Sequence, residues 1–66
     1  MDPYQQRVID EKKALDEKLD KLVEFMKGDI FVRLDSSEVE RLRRQAAVMH
    51  TYSAILSERI AHFKST

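Results

Sequence analysis

From Asp35 to Phe63 the chain carries two apolar stripes on what reads as a single helix, and this limits what it can fold into. Val39, Ala46, Ser53 and Ile60 recur every seven residues, as do Leu42, Met49, Leu56 and Phe63. The two series are the a and d positions of a heptad and make a nearly continuous apolar seam. Val48, Tyr52 and Ile55 form a second stripe beside it. One neighbouring helix covers one stripe, so this helix needs two neighbours.

The first half of the chain supplies one of them. Asp2 is a good N-cap, Pro3 follows at N1, and Gln5 stands at N3 to complete a capping box. Tyr4, Val8, Leu15, Leu19, Leu22 and Met26 then mark one helix face, with Ile9, Val23 and Phe25 flanking it. Lys27-Gly28-Asp29 ends that helix, with Gly28 expected in the left-handed C′ position. Ile30, Phe31, Val32 and Leu34 are too many apolar residues for an exposed loop, so Phe31 and Leu34 are expected to plug the closed end. A second capping box, Asp35 with Glu38, and a Leu34–Val39 staple open the next helix.

The expected fold is all-α: a single domain over residues 1–66, with a helix at 3–26, a connector at 27–35 and a helix at 36–63. A short connector between helices of similar length makes an antiparallel hairpin. Tyr4 and Val8 should lie near Ile60 and Phe63, and Leu22 and Met26 near Val39 and Leu42.

Below roughly 70–80 residues a lone core rarely supplies more than about 3–5 kcal/mol. The 66 residues include no Cys, and His50 and His62 are the only histidines. Disulfides and a thiolate metal site are therefore excluded, and no cofactor is expected. Self-association into a helical-bundle homo-oligomer is the remaining source of stability. Its interface is expected at Val48, Tyr52 and Ile55, with Met49 and Leu56 contributing. Twelve acidic and twelve basic residues cancel, which argues against coating duplex nucleic acid. No apolar run exceeds Ile30-Phe31-Val32, so no membrane span or signal-peptide core is expected, and the chain reads as cytoplasmic.

The first apolar face is interrupted at Glu11 and Lys12. The interruption reads either as a solvated gap or as a polar pocket inside an oligomer. Lys12–Asp16, Lys13–Glu17 and Glu17–Lys21 are spaced as i,i+4 ion pairs on an outer face. Asp16, Asp20 and Glu24 form a like-charged ladder that reads as solvated surface rather than a metal or acid–base site.

Arg41, Arg43 and Arg44 crowd the N-terminal third of the second helix, where the dipole disfavours cations. Carboxylates of the first helix could meet them, or a phosphate gripped bidentately by guanidinium groups. A duplex-DNA contact fits poorly with neutral net charge. Gln45, Tyr52 and Arg59 recur at sevens along the edge of the seam. Such a row ordinarily flanks a helix–helix interface, and an aromatic ring between an amide and a guanidinium also suits a nucleobase or ribose. His50 and Ser53 lack the orienting carboxylate and oxyanion site of a catalytic pair, and no Gly-rich phosphate loop, zinc motif or nucleophile elbow occurs. No enzyme is expected.

The run from Gln45 to Ile60, with Leu22-Val23-Glu24-Phe25 and Phe31-x-x-Leu34 before it, resembles a family of small phage proteins described as related to a crAss-like phage protein. More distantly, the helix with small residues around Met49 is similar to the C-terminal helix of phage anti-CBASS and anti-Thoeris nucleotide sponges. The resemblance implies an oligomer of helical hairpins that sequesters a cyclic nucleotide or ADP-ribose-type immune signal between protomers, without chemistry. Arg41, Arg44, Gln45, Tyr52 and Arg59 are the expected ligand contacts, the arginines for phosphate and Tyr52 for stacking. The alternative is a protein–protein module that inhibits or bridges a host protein through the Val48-Tyr52-Ile55 stripe.

Overall fold

A computed structural model describes residues 1–65. Its elements are α1 (Pro3–Met26), the single turn α2 (Asp29–Val32), α3 (Ser36–Ala61) and a closing 3₁₀ turn (His62–Ser65). α1 and α3 pack antiparallel along most of their length. Among the described residues no helix is long and apolar enough to cross a membrane.

Local chemistry explains most of the boundaries. At the start of α1 the Gln5 side-chain oxygen accepts the Asp2 backbone N–H at 3.2 Å, satisfying a donor the helix cannot. At its end Lys27 stays right-handed and Gly28 is extended, with φ −93° and ψ 172°. Gly28 therefore does not adopt the left-handed conformation expected of it. The chain winds straight into α2, and an extended N-cap for that turn is what the path requires. Asp29 in the first turn of α2 suits the helix dipole.

The second capping box, unlike the first, does not form. Asp35 makes no side-chain cap bond; its carboxylate accepts the Ser37 hydroxyl instead. Glu38 turns forward to Arg41, 2.9 Å away, because a guanidinium is a stronger partner for a carboxylate than a backbone amide. α3 ends at Ala61, two residues short of the expected Phe63, and tightens into the 3₁₀ turn.

The core is one side chain thick. Val8, Leu15 and Leu56 are buried together, and Met49, Ile60 and Phe63 pack against them. Met49 and Leu56, expected at an interface between chains, are thus used within one chain. Leu56 is wholly enclosed. The Tyr4 and Phe63 rings meet at 5.8 Å across the open end, where the antiparallel register places them. The closed end has its own plug: Phe31 is buried, meets the Phe25 ring edge-on at 6.3 Å, and lies beneath the Arg43 guanidinium at 5.9 Å. Leu34 is half-buried beside it, while Ile30 and Val32 face outward from the same turn.

A polar bridge fills the interruption in the α1 face. The Lys12 ammonium reaches across to the Ser53 hydroxyl at 3.0 Å and to Asp16 at 2.5 Å. Ser53 in turn donates to the other Asp16 oxygen at 2.5 Å. Lys12 and Asp16 therefore lie at the half-exposed edge of the helix interface and bridge to α3, rather than standing on an outer face. Of the three expected i,i+4 pairs this is the one that closes; Lys13–Glu17 and Glu17–Lys21 do not come within bonding distance.

The result is a rod of 49 × 15 × 14 Å with a radius of gyration of 15.1 Å, against about 11 Å for a globular chain of this length. It exposes 5206 Å², whereas a compact monomer of this mass exposes about 4,400 Å².

Two stability measurements test this account. Leu56→Ala should cost about 2–5 kcal/mol, enough to unfold the chain in a urea titration. Val32→Ala, at an exposed site, should change stability by less than about 0.5 kcal/mol. Because Gly28 is extended and a Cβ there would meet only the Phe25 carbonyl oxygen at 3.4 Å, Gly28→Ala should leave the melting temperature nearly unchanged. A left-handed Gly28 would make the same change clearly destabilising.

Candidate ligand-binding surface

α3 gives one face to α1 and leaves the adjoining flank uncovered. At 100° per residue, Arg41, Arg44, Val48, Tyr52, Ile55 and Arg59 fall along that flank, with Gln45 on its border with α1. Val48, Tyr52 and Ile55 are 67%, 41% and 48% exposed. With Ala47 and Thr51 they line a shallow concavity of about 360 Å³. The second stripe is therefore a solvent-facing apolar patch with a cation at each end.

The arginines have separate fates. Arg41 binds Glu38 of its own helix through Nε. Arg43 lies over Phe31 and belongs to the closed-end plug. Arg44 has no hydrogen bond or ion pair among the described residues, nor has the Arg59 side chain. No carboxylate of α1 meets any of the three clustered arginines, so the first helix does not account for cations at this end of α3. Gln45 approaches Met49 sulfur at 3.8 Å.

Within one chain these residues do not converge. Arg41 and Arg59 are separated by about 27 Å of helix, and Tyr52 lies about 10 Å from both Gln45 and Arg59. Arg59 belongs instead to a cleft of about 310 Å³ at the open end, lined also by Tyr4, Gln5, His62 and Phe63. The His62 Nδ1 is engaged by the Glu58 carbonyl at 2.8 Å. Sequence reasoning did not assign Tyr4, Gln5, His62 or Phe63 to a site. The signal was available, since Arg59, His62 and Phe63 share a helix face and the hairpin register sets Tyr4 opposite Phe63.

The family model of the Sequestin family matches residues 2–62. The chain belongs to the Sequestin family. No curated protein and no solved structure matches it. The matched span takes in both long helices of this family member, and with them the uncovered flank and the open-end cleft except Phe63.

The Lys12–Asp16–Ser53 bridge is the other polar constellation. The Lys12 ammonium, then the Ser53 hydroxyl, hold the Asp16 carboxyl below its ordinary value of 3.8, and His50 adds to the effect. The trio joins α1 to α3 and reads as a clasp between helices. Among the described residues no group of His, Asp and Glu is placed to hold a metal.

The clasp predicts a pH signature. A carboxyl whose folded value is depressed contributes stability that is fully present above its unfolded value. For Asp16 that contribution should be lost as pH falls below about 3.8 and through the lowered folded value. Melting temperature recorded from pH 6 downward should therefore fall less steeply below that point for Asp16→Asn than for the wild type, and parallel curves would remove the clasp from the acid response.

Proposed function

We propose that this Sequestin-family chain binds and sequesters a nucleotide immune signal without transforming it, as a phage-encoded counter-defence protein acting in the host cytoplasm. The observation that carries this reading is the uncovered α3 flank, where Arg41, Arg44, Gln45 and Arg59 lie along an apolar patch that includes Tyr52, and where Arg44 and Arg59 have no side-chain partner among the described residues. Guanidinium groups grip phosphate bidentately, and an exposed tyrosine ring stacks on a base. The family name agrees with sequestering a molecule. The residues that pair a nucleophile with a base in enzymes are not assembled here, so the reading is one of binding, by a homo-oligomer joined through Val48, Tyr52 and Ile55.

The exposed patch itself favours a second reading, in which the same face docks on a host protein and blocks or bridges it. Thermal melting in the presence of cyclic di- and trinucleotides and cyclic ADP-ribose isomers separates the two. A bound ligand at 100 times its dissociation constant adds about 2.7 kcal/mol, a rise of several degrees for a chain this small. Arg41→Ala should abolish the rise without lowering the melting temperature of the free protein much. Arg43→Ala should retain it, because Arg43 belongs to the closed-end plug. A panel with no rise for any member would favour the docking reading.

A further inference from the structure

We propose that the closed end of the hairpin is a self-association surface, at which the α2 turns of two copies of this chain pair antiparallel. The pairing uses no residue of the α3 flank and stands whether or not that flank binds a nucleotide.

The turn keeps apolar and charged groups outside together. Ile30 and Val32 are 58% and 74% exposed, although they stand on either side of the buried Phe31. At about 100° per residue, a turn that directs Phe31 inward sets Asp29 and Arg33 on the opposite, outward side, about 40° apart. Ile30 and Val32 fall on the two margins of that side. The outward face therefore has an acid at its start, a base at its end and one apolar residue along each edge.

Asp29 and Arg33 are four apart, the spacing of an ion pair within a helix, yet they do not form one. The Arg33 Nε donates to the Asp29 backbone carbonyl at 3.4 Å. The Asp29 carboxylate has no hydrogen bond or ion pair among the described residues. Neighbouring charges are committed elsewhere: Lys27 pairs with Glu24 at 3.8 Å, and Asp35 accepts the Ser37 hydroxyl.

This face is complementary to a second copy of itself. A twofold axis at the level of Phe31 lays the second turn antiparallel on the first. Asp29 of each copy then lies over Arg33 of the other, and Ile30 of each meets Val32 of the other. Every contact is made twice. A parallel arrangement would set Asp29 against Asp29 and Arg33 against Arg33, so charge selects the antiparallel one. Two apolar side chains per copy cover far less than the roughly 800 Å² per partner of a standard interface. The contact between single chains is accordingly transient, and it forms as concentration rises.

The chain has no cysteine, so disulfide trapping reads a transient contact directly. Under mild oxidation, Ile30→Cys mixed with Val32→Cys should cross-link roughly tenfold faster than either variant alone, because position 30 faces position 32 and neither faces itself. Adding Asp29→Arg to both members should remove that advantage, since two arginines then oppose two others. Placing Asp29→Arg in the Ile30→Cys chain and Arg33→Asp in the Val32→Cys chain puts opposite charges face to face again and should restore it. That recovery also shows that both charge variants fold. Equal rates for the mixture and the single variants would overturn the pairing, as would an advantage that survives Asp29→Arg in both chains or fails to return in the charge-swapped mixture. A nucleotide panel without any response would leave this pairing standing and remove only the immune-signal reading.

Discussion

Two helices packed side by side can each cover one face of the other and no more. That limit governs the whole molecule. The covered face of α3 goes to Val8 and Leu15 of α1, which meet at the wholly enclosed Leu56. Everything else apolar on α3 has to lie outside, and Val48, Tyr52 and Ile55 do. A core one side chain thick also fixes the shape, since adding length to such a hairpin adds surface as fast as interior. The rod and its uncovered stripe have the same cause.

Within that thin core the clasp of Lys12, Asp16 and Ser53 has a role that apolar packing cannot fill. Heptad seams slide easily by one repeat, because one leucine packs much like the next. A charged pair bonded to one hydroxyl on the facing helix fits one register only. The arrangement is also complete: among the described residues no buried side-chain nitrogen or oxygen lacks a partner. A half-satisfied polar group there would cost more than the apolar residue it replaces. The clasp lies midway along the rod and aligns the open end, where Tyr4 meets Phe63.

The basic residues show how a helix distributes charge over distance. Arg43 is drawn into the closed-end plug by the face of Phe31, and Arg41 is held by Glu38. Arg44 and Arg59 are left uncommitted at opposite ends of the apolar stripe. A helix separates residues in proportion to their spacing in sequence, so cations on one straight helix cannot close around a small ligand. On this Sequestin-family chain the two candidate surfaces, the concavity on the α3 flank and the cleft at the open end, are both open to solvent.

The sequence by itself determined the two long helices, their antiparallel pairing, the Phe31 plug and the existence of a second apolar stripe. Each of these follows from periodicity, which local backbone geometry enforces wherever the chain is helical. Tertiary structure alone decided the competitions. Gly28 was free to be left-handed, but the path into α2 required it extended. The capping of α3 by Asp35 and Glu38 was lost more locally, to Ser37 and Arg41 of the same helix rather than to anything across the hairpin. Lys12 sat at a break in the apolar pattern, and only the facing Ser53 turned that break into a clasp. Met49 and Leu56 were apolar in either setting, and only packing could assign them to the intrachain core rather than to another chain. Periodicity states which face a residue occupies. Which of several available partners it takes depends on distances across the hairpin, and those exist only once the chain has folded.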